Sequence, residues 1–406
     1  MPACAEGSEY GETSTRRYLV FACAFVLGAF TAGLAQPAAQ APDAASAPAV
    51  TPAAGRDVVP LPPPNPFPVG GTDDVSDGDY VIGPDYVISE ELRTPHAAWA
   101  TGELHEITML ARNSKLYPGR KRKVDYVPDP TKMPGGRGNA VPGDVQWEDS
   151  PYEPRHVWVY IPAEVKKSTP LPVIIVQDGG NYQNQVRRSL DALISQRKLP
   201  PIAMVALDPG STPVGAVRAE DGQGSERGYE YDSLSGRYSD FIEKEVLPMV
   251  SKRFGIRFTK DPDGRATLGG SSGAAAAFTM AWYHPERYHR VVIFSPTFVN
   301  QQSPADPANP RGAWEYHDHL IADAPTKPLR IWMEVGEHDN NYMAAEGTFH
   351  NWVLAATRTA AVLKQKGYHY RYVFAKDAGH TDNRVREQTI AAALEYVWSG
   401  YKPSGR

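Results

Sequence analysis

Cysteine is almost missing from this chain: two in 406 residues, Cys4 and Cys23. Both fall within the first 35 residues, which read as an export signal, so a chain cut after Ala35 has none. A disulfide framework, a thiolate metal site and a cysteine nucleophile are then excluded. An excess of either charge is also lacking: 42 Lys and Arg stand against 47 Asp and Glu, a net charge of −5. That balance leaves no electrostatic footprint for nucleic acid or an anionic membrane surface. The basic run Arg120-Lys121-Arg122-Lys123 reads as a solvated strand lead-in. No internal repeat is visible, so solenoids and propellers are set aside.

What is present can bury a core. With 41% hydrophobic and 22% charged residues, the chain is expected to be globular. Arg16-Arg17 precede the apolar run 18–35, which ends in small residues at Gly33 and Ala35, as a signal peptide with cleavage after Ala35 would. An uncleaved membrane anchor is the alternative, although the Gly, Thr and Ala content of the run argues against it, and Thr15-Arg16-Arg17 faintly resembles a twin-arginine signal. Residues 36–75, dominated by Ala and Pro, cannot build a core and read as an extended spacer. The expected product is a periplasmic or secreted protein whose folded domain covers 76–406, with no membrane insertion after cleavage.

In the lead-in 76–165, "HEITML" (105–110) and "HVWVYIPAEV" (156–165) alternate in polarity as antiparallel edge strands do, with a Gly/Pro-rich insertion near 125–152. After 170 the pattern changes to solid apolar runs: 171–180, 201–210, 265–273, 290–298, 329–339 and 370–380. Helical spacing lies between several of them, as in Leu190, Leu193, Ile194 and in Ile390, Ala393, Leu394, Val397. Strand, helix and strand repeated predict an α/β fold with a mostly parallel central sheet covered by helices on both faces. Pro248, within the pattern Tyr238, Phe241, Ile242, Val246, is expected to kink or end its helix.

Gly269-Gly270-Ser271-Ser272-Gly273 fits G-x-S-x-G and stands between a short strand and the helix-forming "AAAAFTMAW". Strand, sharp turn and helix is the setting of a nucleophile elbow, with glycines removing Cβ atoms where the two elements approach. Ser272 is a rival nucleophile, but Ser271 alone has glycine at both −2 and +2. An activated serine needs a base and an orienter, which follow it here in the order Ser, acid, His. Asp339 lies just beyond the strand "LRIWMEVG", and His380 follows the last strand in a glycine-containing loop; Glu334, Glu337 and Asp377 are the other acids near such loops. Gly179 or Gly180, after "VIIVQD", would add a backbone N–H to that of Ser272 in an oxyanion hole. The pair His317 and His319 lacks a convincing third metal ligand.

At these residues the chain resembles the esterase D-type, enterochelin-esterase-like branch of the α/β-hydrolases, which also includes feruloyl esterases and mycolyltransferases. The resemblance runs through "QDGGNY", "QGSERGYEYDSLSGRYSDFIEKEVLP" (223–248), "GGSSGAAAAFTMAW", "VGEHD", "HNWVLA" and "GYHYRYVFAKDAGH", over about residues 80–400. It implies a lidless α/β-hydrolase core with Ser271 as nucleophile, Asp339 as acid and His380 as base, acting on a small-molecule ester without metal or organic cofactor. Arg227 and Glu230 in "ERGYEYD" are candidates for the pocket wall, with a structural ion pair as their other role. An acyltransferase with the same triad, a siderophore trilactone esterase and a non-catalytic binding protein remain alternatives, and oligomeric state is not legible.

Overall fold

From Leu171 onward the apolar runs have no polar face, which demands burial on both sides, and each becomes a strand of one sheet. The structure, a computed structural model, describes residues 76–93, 99–118, 120–123, 146–149, 155–163, 165, 169–210, 227–302 and 306–403. All belong to the unit Val58–Arg406. The expected signal and spacer, and most of the insertion near 125–152, lie outside the described residues. The strands are β1 (Gly78–Ile82), β2 (Glu103–Met109), β3 (Arg120–Lys123), β4 (Gln146–Asp149), β5 (Arg155–Ile161), β6 (Val173–Gln177), β7 (Ala203–Leu207), β8 (Arg265–Gly270), β9 (Arg290–Phe294), β10 (Arg330–Gly336) and β11 (His369–Ala375). The helices are α1 (Glu90–Arg93), α2 (Gly179–Ser195), α3 (Arg227–Tyr231), α4 (Arg237–Phe241), α5 (Leu247–Phe254), α6 (Ser272–Tyr283), α7 (Ile321–Asp323), α8 (Trp352–Gln365) and α9 (Asn383–Trp398). No helix among the described residues is long and apolar enough to cross a membrane.

Nine strands form the main sheet in the order β1-β11-β10-β9-β8-β6-β7-β5-β2. From β1 through β7 in that order neighbours run parallel, and β5 and β2 are added antiparallel, as their alternating pattern predicts. Successive residues of a strand face opposite sides. Val173 and Ile175 therefore join one apolar cluster with α6 and α8, while Ile174 and Val176 join another with α2 and α9. The basic run Arg120–Lys123 is β3, paired antiparallel with β4 in a separate two-stranded sheet.

Two details differ from the sequence reading. β1 does not lie with the other lead-in strands but covers the far edge, parallel to β11, where Tyr80 and Ile82 are buried and Ser76 O accepts from Arg371 Nη2 at 2.7 Å. Pro248 does not end its helix. α4 runs through a widened turn over Ile242–Val246 into α5, which carries Pro248 in its first turn. Proline lacks the N–H that a regular turn would use and collides with the carbonyl four residues earlier; the widened turn accommodates both.

Glu334, in the middle of β10, is an acid buried in this core at 4% exposure. Thr389 Oγ1 on α9 stands 2.8 Å from both Glu334 Oε2 and Val385 O. One hydroxyl proton cannot fully serve two acceptors, and a neutral carboxyl can donate in return. Burial accordingly pushes the Glu334 carboxyl up to about 8. A raised folded-state value binds the proton more tightly than the unfolded chain does, so the stability it contributes is complete below the unfolded value and is lost as pH climbs to about 8. Glu334→Gln should therefore gain thermal stability over the parent as pH rises from about 5 to about 8.5. A difference in melting temperature that does not change with pH contradicts this assignment.

Candidate active site

Register brings the loops together. Gly270 of β8 is level with Phe294 of β9, Phe294 with Glu334 of β10, and Glu334 with Val373 of β11. The segments that follow these strands therefore leave the sheet along one edge. Ser271, Asp339 and His380 are carried on the segments after β8, β10 and β11, and their distance in sequence disappears.

Ser271 has φ 57° and ψ −127°, a conformation that side chains rarely adopt. Backbone bonds hold it there: its N–H donates to Phe294 O at 2.9 Å, and its carbonyl accepts from Thr297 N at 3.1 Å and Ala274 N at 3.0 Å. The flanking glycines are required by contact. A Cβ on Gly269 would collide with Gly273 O, and one on Gly273 would come within 2.6 Å of Asp178 Oδ2. The turn thus places Ser271 directly before Ser272, the first residue of α6, whose N–H belongs to the helix turn that has no intrahelical acceptor.

His380 Nε2 stands 2.9 Å from Ser271 Oγ, and its Nδ1 stands 2.5 Å from Asp339 Oδ1. A carboxylate only accepts, which fixes the proton on Nδ1 and leaves the Nε2 lone pair toward the Ser271 hydroxyl. Asp339 is 1% exposed and is held in turn by Asn340 N, which donates to Oδ1 at 2.7 Å. The Trp352 ring stands edge-on to His380, with centroids 6.1 Å apart. The other acids considered from sequence do not reach the imidazole. Glu334 points into the α9 side, Glu337 Oε2 accepts from Asp377 N, and Asp377 faces His338. Ser272 Oγ is turned away and accepts from Gln301 Nε2 at 3.2 Å.

Gly179 and Gly180 open α2 beside the elbow. The Gly180 N–H donates to Asp208 Oδ1 at 3.0 Å, whereas Gly179 packs so tightly that a Cβ would lie 2.7 Å from Leu207 N. Burial pushes the Asp208 carboxyl up, and the Gly180 N–H acts in the opposite direction. Glu230 takes the structural role of the two considered for it. Its side chain is fully buried and takes a two-pronged ion pair from buried Arg155, with Nη1 to Oε2 at 2.7 Å, and it also accepts from Gly210 N. Arg227 is half-buried and forks onto Asp178, with Nε to Oδ1 at 3.2 Å and Nη2 to Oδ2 at 2.7 Å. The two histidines of the disfavoured metal pair diverge. His317 is buried against Trp314, while His319 joins Glu315 and Asp318, whose carboxylates Arg311 already neutralises.

Two hydroxyls at the site escaped the sequence reading. Thr297 Oγ1 is 3.4 Å from Ser271 Oγ, and Ser295, at φ 49°, accepts the Thr381 N–H at 2.8 Å and so ties the His380 loop to the end of β9. "SPT" carries no motif that would single them out; only the register of β9 between β8 and β10 does.

The family model described as "Putative esterase" matches residues 149–396. No curated protein matches the chain. Among solved structures the chain is similar to the enterobactin esterase of Shigella flexneri at 18% identity and TM-score 0.41, covering 61% of this chain and 56% of that one. It thus spans little more than half of that protein. It is also similar to the CE1 ferulic acid esterase of the anaerobic fungus Anaeromyces mucronatus at 12% identity and TM-score 0.47, over 78% and 98% of the two chains. A third is the feruloyl esterase module of Clostridium thermocellum, at 14% identity and TM-score 0.44, over 77% and 94%. With more than half of its length matched by the family and its parallel sheet covered on both faces, the chain belongs to the esterase family of the α/β-hydrolase type.

Proposed function

We propose that this protein is a serine carboxylic-ester hydrolase working through an acyl-enzyme. The observation that carries the reading is the continuous relay from Ser271 Oγ through His380 to Asp339, at 2.9 and 2.5 Å. Ser271 Oγ attacks the ester carbonyl as its proton passes to His380 Nε2; His380 then gives that proton to the leaving alcohol, and water repeats the sequence to free the acid. Asp339 keeps the imidazole in the tautomer this needs and balances the imidazolium. The Ser272 N–H, at the positive end of α6, is one donor to the oxyanion. Gly179 is the second while Asp208 holds the Gly180 N–H; Gly180 takes that place if substrate displaces the carboxylate. The relay calls for no metal or organic cofactor.

Substrate class follows from charge. The Arg227 guanidinium, beside the elbow, is paired with Asp178, and Asp232 lies close to it, so the described residues there offer no surplus of positive charge for a polyanion. A neutral aryl or sugar ester fits this balance better than a ferric tricatecholate. The N-terminal run and Ala/Pro spacer support export to the periplasm or beyond.

Ser271→Ala and His380→Ala should each lower kcat by about 10³-fold or more, with the double variant little worse than either, because the two act as a unit. Asp339→Asn should cost less than Ser271→Ala and more than Glu337→Gln. Retained activity in Ser271→Ala, with loss in Ser272→Ala, would put the nucleophile one residue along. A comparison of kcat/KM across neutral and ferric-siderophore esters should favour the neutral ones; the reverse order rejects the charge argument. The same assay run with an added alcohol separates hydrolysis from acyl transfer. Exported material should begin near Gln36, and an intact N-terminus recovered with membranes would favour an anchor instead.

A further inference from the structure

Arg227 stands between two carboxylates at the mouth of the elbow. Its fork onto Asp178 is described above, its guanidinium carbon lies 5.4 Å from the centre of the Tyr231 ring, and the charge of Asp232 also acts on it. Asp178 itself is in a left-handed conformation, φ 54° and ψ 51°, immediately before Gly179. Its N–H reaches the Tyr231 hydroxyl at 3.4 Å, and its Oδ2 lies so close to Gly273 that a Cβ there would be 2.6 Å away. A negative oxygen is therefore built in beside the first turn of α6, where the reaction needs to gather negative charge on the substrate. Asp232 belongs to the same arrangement from the other side: Gln301 Nε2 reaches both Asp232 Oδ2, at 3.4 Å, and Ser272 Oγ, at 3.2 Å.

We propose that Arg227 is a positioning residue for the oxyanion hole, holding Asp178 in the left-handed turn that presents Gly179 and neutralising the carboxylate next to the developing oxyanion. This rests on the serine-esterase reading of the site. Left unpaired, the Asp178 charge would oppose the transition state more than the ground state, because the substrate oxygen becomes anionic only in the former. The effect belongs in kcat. A guanidinium is the suitable cation, since its planar fork grips both carboxylate oxygens and so fixes orientation as well as charge, which a lysine does not do. A direct grip on an acidic substrate by a pocket-wall Arg227 has the opposite signature: KM rises for anionic esters alone.

The test uses the full-length protein with a neutral aryl ester and its carboxylate-bearing analogue. Arg227→Ala should lower kcat for both by about 10²-fold with KM nearly unchanged, and Arg227→Lys should fall between it and the parent. Adding Asp178→Asn to Arg227→Ala should restore at least about tenfold of kcat, because the offending charge is removed with its partner. Failure of that rescue in a folded double variant, or a KM rise confined to the anionic ester, overturns the proposal. If Arg227→Ala does not fold, Arg227→Lys with and without Asp178→Asn reads the same rescue. Ser271→Ala measured alongside separates the two claims: activity surviving there defeats the serine reading, whereas its loss with a full-rate Arg227→Ala defeats only the role given to Arg227.

Discussion

The site depends on one strained turn. Ser271 at φ 57° and ψ −127° costs about 1–3 kcal/mol relative to a relaxed residue, and a sheet edge alone would not hold it. What holds it is the meeting of β8 and α6 at a separation that only glycine permits at 269, together with four backbone bonds, to Phe294, Thr297, Ala274 and Ala275. Once the turn is set, the direction of the hydroxyl and of the helix N-terminus follows. Both functions proposed for the elbow, nucleophile and oxyanion donor, thus rest on one backbone conformation.

Around that turn the buried carboxylates have partners. Glu230 meets Arg155, Asp178 meets Arg227, and Asp339 meets the His380 imidazole, each pairing an element of the sheet or its loops with one from a distant part of the chain. Removing one partner of a buried pair leaves an uncompensated charge, which is why such pairs hold geometry more than they add net stability. Glu334 forms no ion pair among the described residues, and burial pushes its carboxyl up. The paired carboxylates tie loops together, whereas Glu334 lies within the core.

Much of this was written locally in the sequence. Solid apolar runs predict the parallel strands, and the glycine spacing about Ser271 marks the elbow because the requirement lies within five residues. Asp339 and His380 were legible because each follows such a run closely. Contacts made across the chain were not. An ion pair is one of the two roles the sequence offers Glu230, but nothing near it in sequence announces its partner Arg155, 75 positions earlier. The commitment of Gly180 to Asp208 depends on β6 and β7 being neighbours, and the parallel placement of β1 on β11 closes an edge that no local pattern names. Pro248 does not end its helix, because the widened turn before it takes up the missing N–H and the bulk of the ring.

The most direct measurement is covalent. A serine-directed fluorophosphonate, added to the native protein and traced by peptide mass spectrometry, should attach to Ser271 and to no other serine, and prior incubation with a neutral ester should slow it. Attachment at Ser272, or no labelling of a folded and esterase-active protein, would contradict the account.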